Sequence, residues 1–174
     1  DRRQRQMCIR DRKKTERINR ILTHPSYIEY VSQNAEKEQD RVFCHHDMGH
    51  FLDVARLAEI LNLTEAYGQD AELIYAAALL HDIGRHIQYE TGEDHALVSA
   101  RMAPAILKDC GFMQEEAEQI VSAIATHRLA EVRDRKDLNG LLYRADKLSR
   151  PCYCCKQESA CNWKGDKKNR QLIW

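Results

Sequence analysis

Leu73-Ile74-Tyr75-Ala76-Ala77-Ala78-Leu79-Leu80-His81-Asp82-Ile83-Gly84-Arg85 is the stretch on which the reading of this chain turns. An apolar helix ends abruptly in two adjacent ionisable residues. Burying such a pair is costly unless something compensates it. A metal ion would do so, because neutral imidazole and carboxylate both ligate divalent transition metals. The rest of the sequence can be searched for residues that complete such a site.

Helical periodicity extends to both sides of this stretch. Asp70 is placed to cap a helix over 71–83, with Gly84 as its stop and a loop over 85–93. Upstream, residues 15–22 carry Ile18, Ile21 and Leu22 at helical spacing. His24-Pro25 breaks that pattern, and Pro25 suits the first turn of a helix running to about Glu38. Its apolar positions are Ile28, Val31 and Ala35. A third helix over 47–61 places Phe51, Val54, Ala55, Ala58 and Leu61 inward.

Downstream, Asp94 caps a helix that ends at Cys110-Gly111, and Pro104 within it predicts a kink or break. Further helices span 115–128 and 137–148, and there is no strand pattern and no internal repeat. Seven glycines and three prolines fit helices with short connections. A chain of 174 residues suits one core. The expectation is a single compact all-α bundle over 13–150 with a Cys-rich, then basic, tail over 151–174. Residues 1–12, basic and without period, are set aside as a non-native or disordered leader, Cys8 included.

Bulk chemistry narrows the function classes. Lys plus Arg equals Asp plus Glu at 27 each, so no net field invites nucleic acid. No apolar stretch is long enough for a bilayer and no secretory pattern opens the chain, so a membrane role is not indicated and the cytoplasm is the expected compartment. Seven cysteines, an odd number, point to reduced thiols or metal binding rather than a disulfide framework.

Placed on their helices, several ionisable residues share the apolar stripe. His50 aligns with Val54, Leu57 and Leu61. His81 lies below Ile74, Ala77 and Ala78, and His95 is in register with Val98, Ser99 and Met102. His127 follows Ile120, Ala123 and Ile124, and Asp146 follows Leu138 and Leu142. Residues at these offsets share a face. A lone inward histidine is ordinarily a satisfied core residue. Four His and two Asp on five inward stripes need either separate buried partners or one shared partner, and a metal centre supplies the shared one.

His50, then His81-Asp82 in Leu-Leu-His-Asp-Ile-Gly-Arg, then Asp146 in Arg-Ala-Asp-Lys-Leu resemble the HD superfamily of metal-dependent phosphohydrolases. The stretches from His50 to Ala58, His95 to Ala100 and Ala123 to Arg128 match its small bacterial members, over about 41–150. The pattern is most similar to symmetrical diadenosine-tetraphosphate hydrolases. The resemblance implies that His50, His81, Asp82 and Asp146 ligate a core metal. It also implies that His95 and His127 hold a second one across a bridging Asp82.

A metal-activated hydroxide would then attack a phosphoester or phosphoanhydride of a nucleotide-like small molecule. Asp82, Arg85, Lys147 and Arg150 are the expected catalytic and phosphate-holding residues, with Arg128 a further cation. Iron, manganese, cobalt, nickel or zinc all suit the ligand set, as one ion or two. Asp53, Glu90 and Glu93 are candidates for the acid that protonates the leaving oxygen, and His45, His46 and His86 crowd the same motifs in loop or supporting roles.

A non-catalytic metal- or nucleotide-binding domain, or a redox sensor using the cysteines, is the competing reading; the intact ligand set weighs against it. The cysteine tail departs from the family pattern. Cys152, Cys155 and Cys161 are candidate ligands for zinc or an iron–sulfur cluster, with Cys44 or Cys110 adding a thiolate if the fold brings it close. The alternative is reduced thiols that pack the tail near Asp146.

Overall fold

The computed structural model describes residues 15–172. The expected leader at 1–12 lies outside the described residues. Among the described residues there are eight α-helices and no strand. They are α1 (Glu16–Thr23), α2 (Pro25–Lys37), α3 (Met48–Thr64), α4 (Ala71–Leu80), α5 (Arg85–Thr91), α6 (His95–Asp109), α7 (Gln114–Thr126) and α8 (Leu138–Leu148). Short 3-10 turns at Ala130–Val132, Cys152–Cys154 and Gly165–Lys167 complete the chain. None of these helices is long and apolar enough to cross a membrane.

The central element is α4. Leu73, Ile74 and every residue from Ala76 to Leu80 are buried, which leaves it no solvated face. It packs against α3, α7 and α8, and the run Ala76-Ala77-Ala78 keeps those neighbours close. Phe51, Val54, Ala55, Ala58 and Leu61 of α3 are all buried, as their spacing predicts. Ile120, Ala123 and Ile124 of α7 and Leu138, Leu141, Leu142 and Ala145 of α8 close the core.

Capping fixes where several helices begin. The carboxylates of Asp47, Asp70, Asp94 and Asp137 accept hydrogen bonds from the backbone N–H of His50, Glu72, Ala96 and Gly140 respectively. Each removes one of the orphan donors of a first helical turn. At α2 the imidazole of His24 plays this part, accepting from Ser26 N at 3.2 Å, with Pro25 in the first position.

Three features depart from the periodicity. The buried residues of α2 are Tyr27 and Asn34, continued by Glu38, whereas Ile28 is 54% exposed and Ala35 is exposed. Helix α2 is turned by polar demands. Asn34 Nδ2 donates to the carbonyl of Asp82 at 2.9 Å, and its Oδ1 accepts from the backbone N–H of His86 at 2.8 Å. These bonds pin α2 to the segment that carries the His-Asp pair.

Second, α4 ends at Leu80, not Ile83. Residues 81–84 form a turn, and the predicted loop begins instead as α5. The turn presses against α6, where Gly84 N donates to Ser99 Oγ at 2.9 Å. A Cβ at Gly84 would lie 2.6 Å from Val98 Cγ1 and 2.9 Å from Ser99 N, so the close approach requires glycine. Third, α6 is not broken at Pro104. Buried Ala103, Ile106 and Leu107 hold the helix in the core across the missing backbone donor.

Candidate metal centre

The turn at 81–84 carries Asp82 into the space between α3, α6, α7 and α8. Each of these helices, or the residue that ends it, supplies one predicted ligand. His50 comes from the first turn of α3 and His95 opens α6. His127 ends α7, and Asp146 lies in the last turn of α8. All six predicted ligands therefore meet. His81, Asp82, His95 and His127 are buried, and the side chains of His50 and Asp146 are 15% and 14% exposed.

The two carboxylate oxygens of Asp82 face different imidazoles. Oδ2 lies 3.4 Å from His81 Nε2 and 3.8 Å from His50 Nε2. Oδ1 lies 3.0 Å from His95 Nε2 and 3.7 Å from His127 Nε2. Asp146 Oδ1 joins the first side, 3.7 Å from His50 Nε2. Two tight ligand groups result, His50–His81–Asp82 and Asp82–His95–His127, with Asp82 common to both.

Outer partners set which ring nitrogen faces the centre. His81 and His127 occupy the same local position, the residue after the last helical turn. Each donates Nδ1–H to the carbonyl three residues back, to Ala78 at 2.7 Å and to Ile124 at 2.6 Å. This satisfies a helix-end carbonyl and leaves the Nε2 lone pair inward. Ser149 Oγ donates to the carbonyl of Asp146 at 2.8 Å, so toward His50 Nδ1, 3.3 Å away, it is the acceptor. His50 Nε2 is thereby also left unprotonated. His95 Nδ1 lies 2.7 Å from Gln88 Oε1 and 2.9 Å from Arg85 Nη1; the first contact calls for Nδ1–H and the second for an Nδ1 lone pair, so these neighbours do not fix His95 in one tautomer.

This orientation fits a cation. His50 Nε2 and His81 Nε2 stand 3.3 Å apart with no proton left to share, an arrangement that repels unless a positive charge lies between them. Asp82 Oδ1 is buried with no aligned donor. Nitrogen and carboxylate donors of this kind suit divalent transition metals.

Charge states agree with ligation. Burial pushes His50 down to about 4 and His127 to about 3, and lowers His95 as well. Burial alone would raise the two aspartates, yet both carboxyls are held well below the usual carboxylate range, Asp146 chiefly by the Lys147 ammonium and Asp82 by the positive charge that the neighbouring imidazoles carry when protonated. Neutral imidazoles beside ionised carboxylates are the protonation states that ligands require.

An acid-stability consequence follows. Unfolded imidazoles titrate near 6.5, so between that value and about 4 the unfolded chain binds more protons than the folded one. The chelated protein should therefore lose thermal stability steadily from pH 7 to pH 5. A melting temperature that stays level over that range would show that these rings are not buried neutral.

His46 takes the supporting role the sequence suggested, through a partner, Glu38, that the sequence did not reveal. Buried Glu38, at the end of α2, accepts from the backbone N–H of His46, from His46 Nδ1 and from Tyr89 Oη. Burial would raise this carboxyl, but these bonds outweigh it and hold it near 2. The bond to Glu38 turns His46 Nε2 toward Asp82 Oδ2, 3.7 Å away. His46 precedes the Asp47 cap, and its register with the core stripe is invisible before the loop is folded. His86 is drawn to Asn34, not to the centre, and His45 is exposed.

Among the predicted cations, Lys147 Nζ bonds Asp146 Oδ2 and Arg85 reaches His95, Gln88 and Tyr89. Arg128 pairs with Asp94 at 2.8 Å, outside the cluster. Arg150 is directed to the tail, its guanidinium stacked 4.3 Å above Trp163. The three carboxylates considered as acids are also engaged or remote. Glu90 pairs with Lys37, Glu93 pairs with Arg101, and Asp53 is exposed.

A helical bundle that gathers His50, the His-Asp pair and Asp146 around one point is the arrangement of an HD domain. The HD domain family model matches residues 47–150. The chain belongs to the HD family of metal-dependent phosphohydrolases. It is 44% identical over 161 residues to an uncharacterized protein of Clostridium beijerinckii, covering 91% of this chain and 99% of that one. It is 34% identical over 80 residues to ribonuclease Y of Rubrobacter xylanophilus, covering 46% of this chain but only 14% of that enzyme. A crystal structure of a predicted HD superfamily hydrolase from an uncultured Thermotogales bacterium superposes with a TM-score of 0.53 at 31% identity. The match covers 69% of this chain and 66% of that one.

Proposed function

We propose that this protein is a binuclear phosphohydrolase that cleaves a phosphoester or phosphoanhydride of a nucleotide-like small molecule. The carrying observation is Asp82, whose two oxygens each face a separate group of imidazole nitrogens. His50, His81, Asp82 and Asp146 would hold one ion, and Asp82, His95 and His127 would hold the other. Bound there, divalent ions supply an acidified water and positive charge for the phosphoryl oxygens.

The chain's own groups do the rest. Carbonyl and hydroxyl partners lock His50, His81 and His127 in the ligating tautomer. Lys147 fixes the rotamer of Asp146 and places a positive charge at the rim. Arg85 adds a second cation beside His95. Its guanidinium is held there by Gln88 and Tyr89. Buried walls of α4 and α6 limit bulk water around the developing charge.

The test is a metal-supplemented hydrolysis screen over nucleoside mono-, di- and triphosphates, dinucleoside polyphosphates and a short RNA. The RNA is included because of the similarity to ribonuclease Y. Turnover of a small nucleotide, with close to two transition-metal ions per chain at the imidazole cluster, is the expected result. Turnover of RNA alone would move the assignment to a polymer phosphodiesterase. Protein that holds no transition metal and hydrolyses nothing would sink it.

A further inference from the structure

The strongest unexplained feature lies away from the imidazole cluster. Residues 151–172 run back over the bundle in two 3-10 turns, yet none of them is buried. A segment with no core of its own needs another source of order. Part of it comes from Asn169, whose Nδ2 lies 2.8 Å from the carbonyl of Lys147, 3.0 Å from that of Leu148 and 3.0 Å from that of Arg150. That side chain caps the end of α8. The turn at Cys152–Cys155 and the chain through Cys161 are otherwise held by exposed or half-buried polar contacts, Lys168 Nζ on Glu158 and Arg150 on Trp163 and the carbonyl of Lys167.

Four cysteines surround one enclosed cavity of about 20 Å³ beneath this segment. Cys152, Cys155 and Cys161 come from the tail, and Cys44 reaches it from the loop before α3. Cys44 is also exposed on its outer side. Burial pushes its thiol up first of all, with smaller contributions in the same direction from Cys152 and Cys155 and an opposing one from Arg150. Cys152 and Cys155 have the C-x2-C spacing found in structural zinc sites. The cavity has room for about one water-sized occupant, which suits a single ion rather than a cluster.

We propose that Cys44, Cys152, Cys155 and Cys161 form a structural zinc site that staples the C-terminal tail to the loop preceding α3. Zinc displaces the thiol protons and binds four thiolates, a group of net double negative charge. The surroundings match that sign. Arg150 and Lys168 line the same cavity, where Lys168 is paired with Glu158 at 2.9 Å, and Lys167 Nζ lies 5.5 Å from the Trp163 ring on which Arg150 stacks. The sulfurs stand further apart around the cavity than the ligand atoms of the imidazole groups do, so closing on zinc requires thiol rotation. Cys110 takes no part, being buried in the core, and Cys154 turns its Sγ to the carbonyl of Pro151.

The test uses the full chain purified without chelator. Zinc K-edge absorption is expected to show a sulfur shell at about 2.3 Å. Cys155→Ser should lose about one zinc per chain, while Cys154→Ser keeps it. Should Cys155→Ser fail to fold, titration of the unaltered protein with a thiol reagent decides, because four thiols should react only after zinc is stripped. A zinc shell without sulfur, freely reactive thiols, or iron with sulfide-type visible absorption would each overturn the assignment. These readouts do not involve hydrolysis, so the site stands or falls separately from the imidazole centre.

Discussion

Asp82→Asn will lower hydrolysis by on the order of 10³-fold and lower bound transition metal in the same protein. Asparagine keeps the size of the buried side chain and leaves one carbonyl oxygen. It removes the charge and the second acceptor, so it cannot face both imidazole groups as a ligand. The fold should tolerate the change, because burial already penalises the carboxylate and the turn at 81–84 is held through the Asp82 backbone carbonyl by Asn34. Turnover and metal content should therefore fall while the circular dichroism spectrum is kept. Retained turnover would remove Asp82 from the chemistry and, with it, the bridge.

Gly140→Ala should produce the largest stability loss of any single methyl addition. A Cβ there would lie 2.1 Å from the carbonyl oxygen of Arg135 and 2.8 Å from that of Val132. Both obstacles are backbone atoms, so no rotamer change relieves the clash. Either the 132–137 connection is pushed outward or α8 slides from its seat, and the Asp137 cap on Gly140 N is strained in both cases. A loss of about 3 kcal/mol is expected, read from the urea midpoint. Because Asp146 rides on the same helix, metal affinity should fall with it. An unchanged midpoint would show that the connection yields freely.

The histidines and aspartates of the centre were legible because each shares a helical stripe with residues that the core buries. The caps at Asp70 and Asp94 were legible for a similar local reason, since each acts within two residues of its own position, whereas Asp47 and Asp137 marked helix starts without being read as caps. What escaped is polar burial across elements. Asn34 and Glu38 look like solvated residues of α2 until the carbonyl of Asp82 and the imidazole of His46 are placed opposite them. The apolar pattern of that helix therefore pointed to the wrong face. Arg150 misled for the opposite reason, since adjacency to Asp146 in sequence carries no information about a side chain that stacks on Trp163. The four-thiol cavity needed the same tertiary closure, because Cys44 and Cys152 are joined only by the folded tail.

The ligands gathered around Asp82 run from position 50 to position 146 and come from both ends of the bundle. On the proposed reading, the set of all six residues is complete only once α8 brings Asp146 to it, so full metal loading would report that the last core helix has docked. An ion present at a hundred times its dissociation constant would then add about 2.7 kcal/mol to the stability of the finished fold. Metal supply should therefore set how long a newly made copy survives proteolysis, as well as how fast it turns over.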